Sequence, residues 1–298
     1  MPLILHLSLP DKGNVMRRSL LFAVLVCGLL AGGGCVSNES FLTEDLKENG
    51  LVIILPGIEG PISGMSEDVR DGLVRAGICR AMPIYAWGRP LPLVGPLVNQ
   101  MDVLGNRLEG KKIARMIERY QDQYPGRPVH LIGHSGGGGV AVFAAEYLSE
   151  GREISGIVML SPSISSAYNM TKALNKCRDG IVNFYSNSDV GFLVIGTSLA
   201  GNVDGIHGPA AGAVGCDTPG ENASPGKKFA YHKLYQVEFN AAMTGSADAH
   251  TASTGVGFVL RHVAPWIVSS SWPVADAASQ PEMRLAAGLG ALASRTGE

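Results

Sequence analysis

The amino-acid sequence predicts an α/β fold: a mostly parallel central sheet with helices on both faces. Short continuous apolar runs such as Leu51–Leu55 recur along the chain, as strands buried on both faces require. Between them lie stretches with the apolar spacing of helices, and alternation of the two is the signature of parallel strands joined by helical crossovers. Most apolar runs end in Gly, Pro or Ser, which mark turns. A formal net charge of -2 over 298 residues offers no electrostatic reason for a nucleic-acid partner. The hydrophobic fraction of 46% suits one large globular domain or two small ones.

Residues 1–35 read as a leader. Met16, Arg17 and Arg18 form a basic start, residues 19–31 an apolar core, and Gly32, Gly33 and Gly34 a small-residue end. The apolar core is too short for a confident membrane span. Small residues ending at Cys35 resemble the lipobox of bacterial lipoproteins, although Gly32 stands where leucine is usual. That resemblance implies a lipidated Cys35, export to the periplasm or outer envelope, and attachment to a membrane. An ordinary secretory signal with Cys35 incidental is the alternative. Residues 36–50 are polar and read as a linker, residues 51–270 as the folded domain, and residues 271–298 as a flexible tail rich in Ala and Ser.

Within the domain, Leu51–Leu55 is the first strand and ends in the turn Pro56-Gly57-Ile58-Glu59-Gly60. Ser66 can cap a helix over residues 66–76, with Glu67 and Asp68 in its first turn. Residues 78–85 read as a second strand and residues 88–98 as an apolar, proline-rich loop. Next comes a helix over 104–124, with Leu104, Leu108, Ile113, Met116, Ile117 and Tyr120 on its apolar side. Residues 129–132 form a strand and 139–148 a helix. Residues 154–160 and 181–185 are two more strands, 232–239 alternates like a sheet-edge strand, and 254–268 reads as a last helix.

The chemistry centres on Gly133-His134-Ser135-Gly136-Gly137, which fits G-x-S-x-G between a strand and a helix. Such a turn exposes a serine hydroxyl at its apex, a nucleophile elbow, and small residues let the two backbones approach. A glycine-rich chain can carry this pattern by chance, so its weight depends on whether an acid and a base stand at suitable positions downstream. Over roughly residues 50–268 the chain resembles the α/β-hydrolase family. If Leu51–Leu55 is that family's third strand, residues 129–132 are its fifth, 181–185 its seventh and 232–239 its eighth. The family's acid then falls at Asp189 and its histidine at His250, in the order serine, acid, histidine.

The resemblance implies a serine hydrolase acting on an ester or related acyl bond, of esterase or lipase type. Ser135 is the nucleophile, His250 the base and later the acid, and Asp189 the group that orients His250. The backbone N–H groups of Gly136 and Ile58 form the oxyanion hole. Many family members carry His-Gly where this chain has Pro56-Gly57. The substrate is a small-molecule or lipid-like acyl compound, no cofactor is implied, and the rate rises with pH as His250 loses its proton. Asp189 is alternatively a helix cap, and Asp204, Asp217 and Asp248 are rival acids. His207, His232 and His262 compete with His250, while His134 shapes the pocket. No paired His or Cys spacing suggests a metal. Cys177 and Cys216 are candidates for a disulfide. An inactive binding module on the same fold and an acyltransferase using the same residues are the competing functions. The long segments 87–101 and 190–228 are candidates for the substrate pocket.

Overall fold

The computed structural model describes residues 38–60, 64–88, 95–188, 201–270 and 272. Five strands form one parallel sheet in the order β1 (Leu51–Leu55), β2 (Val129–His134), β3 (Ile154–Leu160), β4 (Cys177–Tyr185) and β5 (Leu234–Glu238). Parallel bridges Leu51↔Ala81 and Ile54↔Ile84 add residues 81–84 on the outer side of β1. Pro83 is acceptable there because an edge position does not need its missing N–H. With that segment as a sixth strand, the sheet has the order and crossovers of an α/β-hydrolase fold.

The strand order fixes where a ligand can bind. From β1 the chain crosses to residues 81–84 on one side, and from there it returns to β2 on the other. The direction in which successive strands are added therefore reverses between β1 and β2. A crevice opens at the carboxyl ends of strands at such a switch point. Leu55 pairs with Gly133 at that end, so the turn after β1 and the turn after β2 are neighbours.

Alternation along the strands divides the core between the two faces. Ile53, Leu55 and Leu131 face α4 (Val103–Gln123) and α5 (Gly136–Glu146), through Ile113, Ile117, Val140 and Phe143. Val52, Ile54, Ile132 and Val158 face α2 (Met65–Arg75) and the helical run 256–268, through Leu73, Phe258, Val263 and Ile267. Both faces of the sheet are covered, which is why its strands are apolar throughout.

Several elements differ from the sequence-based expectation. The polar stretch expected to be a linker is built into the domain from Asn38 onward. It includes α1 (Glu44–Asn49), and it covers the sheet edge formed by residues 81–84. Ala81 N donates to Leu46 O, Met82 N to Phe41 O, and Ile84 N to the Asn38 side chain. An open strand edge needs such partners, and polar composition hides that role. Ser66 is not a cap: α2 begins at Met65 behind Gly64, and Ser66 is buried inside it. In α4 the cap is Asp102, whose carboxylate accepts the Gly105 N–H at 2.9 Å. Leu104 and Leu108 are 71% and 52% exposed, because Asn106 and Gly110 occupy the inner face of the first turns. Part of the expected 88–98 loop is α3 (Gly95–Met101).

The expected last helix is broken into Val256–Phe258, a π-helical turn Val259–Val263 and Ala264–Val268. Pro265 accounts for the break: it has no N–H to donate to the carbonyl of residue 261 and its ring crowds that carbonyl, while it is tolerated in the first turn of Ala264–Val268. The tail expected from residue 271 is anchored at Trp272, which is buried and donates its indole N–H to Trp266 O at 2.7 Å. Cys177 and Cys216 are both buried free thiols rather than a disulfide. The Cys35 leader and the 190–199 part of the second pocket segment lie outside the described residues. Among the described residues no helix is long and apolar enough to cross a membrane.

Candidate active site

Ser135 stands at the apex between β2 and α5, with φ 50 and ψ -121. A non-glycine residue adopts such a conformation only when its surroundings impose it, at a cost of about 1–3 kcal/mol. The surroundings here are explicit. Ser135 N donates to Leu160 O at 3.0 Å, and Ser135 O accepts from Gly138 N at 3.1 Å and Ser163 N at 2.9 Å. The flanking glycines make the turn feasible. A Cβ on Gly133 would lie 2.3 Å from Gly137 O, and one on Gly137 would lie 2.5 Å from Leu55 O. The helix therefore begins directly against the ends of β1 and β2.

The turn after β1 that holds Ile58 reaches Gly136 at this point. A Cβ on Gly136 would lie 2.8 Å from Ile58 Cγ2, so the turn after β1 packs on the first residue of α5. Gly136 belongs to the first turn of α5, where amides have no intrahelical acceptor. The turn that holds Ile58 is pinned on three sides. Trp87 Nε1 donates to Pro56 O at 2.7 Å, Asn99 Nδ2 to Ile58 O at 3.1 Å, and Gly60 N to Gly57 O at 3.0 Å. Gln100 donates to Ser163 Oγ at 2.6 Å and to Gly201 O at 2.8 Å. Residues of α3 thus brace the loops around the elbow, a role that their place in an expected loop concealed.

His250 lies in the short helix Ala249–Ala252 after β5 and is buried. Its N–H donates to Asp248 Oδ1 at 3.0 Å, and its carbonyl oxygen lies 3.0 Å from His134 Nε2. The rings of His134 and His250 are 5.0 Å apart. Ser161, which also has a positive φ of 45, places its Oγ 3.1 Å from Ser253 Oγ. The His250 segment is therefore held against the carboxyl ends of β2 and β3, beside the elbow. Asp189 directly follows the described end of the β4 loop at Ser188 and lies outside the described residues.

The rival groups have other surroundings. Asp248 caps the His250 helix, and the Thr251 hydroxyl holds its carboxyl below the ordinary range. Asp204 accepts from Ser165 N at 3.3 Å, and burial raises its carboxyl above the usual value. Asp217, His207 and His232 are exposed. His262 stacks on Phe258 with ring centroids 4.8 Å apart.

Glu59 is the residue that sequence reasoning passed over as part of a turn. Its Oε1 lies 3.8 Å from His134 Nδ1. Burial acts to raise the Glu59 carboxyl, but the neighbouring His134, too far for a hydrogen bond at 3.8 Å, with a smaller contribution from His250, holds it below the ordinary range. A carboxylate one residue beyond Ile58 was the available signal.

No protein-family model and no curated protein matches the chain. Among solved structures the chain is similar to Aspergillus fumigatus lipase B, at 13% identity and a TM-score of 0.45, over 84% of this chain and 62% of the lipase. It thus spans about three fifths of the length of that protein. It is also similar to a CIB-like hydrolase from Thermoplasma acidophilum, at 14% identity and a TM-score of 0.34, over 67% of this chain and 79% of the other. A yden-like hydrolase from Pectobacterium atrosepticum matches at 16% identity and a TM-score of 0.30, over 77% and 96% of the two chains.

Proposed function

We propose that this chain is a serine hydrolase that cleaves an ester or related acyl bond through an acyl-enzyme on Ser135. The observation that carries the reading is the backbone of Ser135, a strained non-glycine turn (φ 50, ψ -121) at the sheet's switch point, with the His250 segment packed beside it. Strain of this kind persists where function requires it.

In the proposed reaction His250 takes the Ser135 proton as the hydroxyl attacks the acyl carbon. Asp189 orients the His250 ring and stabilises its charged form. The N–H groups of Gly136 and Ile58 receive the developing oxyanion, a contribution worth about 3 kcal/mol per donor in comparable sites. His250 then protonates the leaving group, and water attacks the acyl-enzyme by the reverse use of the same groups.

Labelling with a fluorophosphonate probe tests the reading. The expected result is a covalent adduct on Ser135 that is absent from Ser135→Ala, together with hydrolysis of p-nitrophenyl esters by the wild type alone. A wild-type protein that resists the probe while a control esterase is labelled would sink the proposal. An acyl-chain-length series then defines the substrate class. The leader reading is a separate proposal of export with lipid on Cys35, supported by the sequence of residues 16–35. Incorporation of labelled palmitate that survives in Cys35→Ser would remove it.

A further inference from the structure

We propose that Glu59 and His134 form a positioning pair that locks His250 in register with Ser135. This rests on the reading of Ser135 as nucleophile and His250 as base.

Hydrogen-bond chemistry fixes the orientation of the His134 ring. The partner of His134 Nε2 is the His250 carbonyl oxygen at 3.0 Å, and a carbonyl only accepts. His134 Nε2 therefore carries a proton and donates it to that carbonyl. Nδ1 faces the turn after β1, where Glu59 Oε1 stands at 3.8 Å, and ring and carboxylate form an ion pair when Nδ1 is protonated as well. The Glu59 carboxylate folds back over Gly57, where a Cβ would lie 2.3 Å from Glu59 Oε2. The absence of a side chain at residue 57 is what lets the carboxylate reach toward His134.

The placement of His134 in the chain gives the pair its leverage. His134 immediately precedes Ser135, so a bond from its ring to the His250 backbone ties base to nucleophile across 116 residues of sequence. The other anchors of the His250 segment do something different. Asp248 shapes the helix from within, and Ser161 ties it to the end of β3. His134 alone among these is one peptide from the attacking hydroxyl. A displacement of about 1 Å between reacting groups can cost on the order of 100-fold in rate, so a tie of this kind acts on chemistry rather than on binding. Glu59 places its carboxyl group beside the His134 ring, at 3.8 Å from Nδ1.

Fluorophosphonate inactivation of the full chain separates the steps, because its saturating rate reads the reactivity of Ser135 and its half-saturation concentration reads binding. The variants are His134→Gln, His134→Ala, Glu59→Gln and the double variant Glu59→Gln/His134→Ala, each checked for a wild-type unfolding midpoint. His134→Ala is expected to lower the saturating rate about tenfold or more, the equivalent of one lost hydrogen bond, with half-saturation within about threefold. His134→Gln keeps an amide donor and is expected to recover most of the loss. Glu59→Gln lowers the rate in the wild-type background and has no further effect with His134→Ala. Equal rates for His134→Gln and His134→Ala overturn the pair, as does full additivity of the double variant or an effect confined to half-saturation. Should His134→Ala not fold, Glu59→Gln decides alone: a wild-type rate in it overturns the pair. A wild-type chain whose Ser135 is never labelled overturns the underlying reading instead, and the pair with it.

Discussion

Gly133 and Gly137 oppose each other across the elbow so closely that a Cβ on Gly133 would stand 2.3 Å from the Gly137 carbonyl oxygen. The obstructing atom is backbone, so no side chain can rotate away. Gly133→Ala is expected to destabilise the protein by about 2 kcal/mol or more and to abolish probe labelling of Ser135. Urea unfolding followed by fluorescence, with labelling in parallel, checks both. An alanine variant with wild-type midpoint and labelling would show that the turn is looser than the structure describes.

The strain at Ser135 gives a second prediction, in which stability and activity part company. Alanine at residue 135 removes the hydroxyl but keeps the Cβ in the same unfavourable backbone conformation. Glycine removes both. Ser135→Gly is expected to be about 1 kcal/mol more stable than Ser135→Ala, the relief of strain being partly offset by glycine's greater freedom in the unfolded chain. Both variants are inactive. Identical unfolding midpoints would mean that the backbone of Ser135 is not strained.

His130 predicts an acid-sensitive fold. It is buried on β2, and burial, followed by the charges of Arg80 and Arg178, depresses its imidazole to about 3. Arg80 Nη1 lies 3.3 Å from Nδ1, and a neutral ring can accept from it. A histidine whose folded value lies below its unfolded one stabilises the fold above about pH 6.5, and that stability is lost progressively as the pH falls toward 3. The contribution of one such group approaches about 1.4 kcal/mol per pH unit within that window. Stability measured from pH 7 to pH 4 is expected to fall more steeply in the wild type than in His130→Leu. Parallel slopes would assign the acid sensitivity to other groups.

Trp272 supplies a fourth. Its ring packs against Trp266 at 5.0 Å and Tyr235 at 5.8 Å, and it fills the space that Gly156 leaves open. Trp272→Ala is expected to cost about 3–5 kcal/mol, the usual range for truncating a buried large aromatic. Probe labelling of the folded fraction stays at the wild-type level, because the site is at the opposite, carboxyl end of β2. Truncation after residue 270 is expected to cost as much. A midpoint unmoved by either change would show that Trp272 does not anchor the fold.

How much of this was legible in the sequence depended on the range of the forces involved. The apolar runs of β1 to β5 stood out because a strand buried on both faces must be apolar along its whole length. The strand, turn and helix around Ser135 were legible for the same local reason, since glycine is required where backbones meet. Asn38, Phe41 and Leu46 were not, because their role is to satisfy the edge of a segment some 40 residues away in the chain. Leu104 and Leu108 matched a helical spacing yet lie outside, because the spacing specifies a face and only packing against α5 decides which face is inner.

The sequence by itself determined the α/β class, the order of its strands along the chain and the strand–turn–helix that carries Ser135. Those come from periodicity and from glycine, which act over a few residues. Only the tertiary structure decided that the strand order reverses between β1 and β2, that residues 38–50 seal the sheet edge, and that the His134 ring faces Glu59 on one side and the His250 carbonyl on the other. The contacts to His134 join residues 75 and 116 positions apart (134 minus 59, and 250 minus 134). They are settled by which surfaces pack together, and no local pattern in the chain records that.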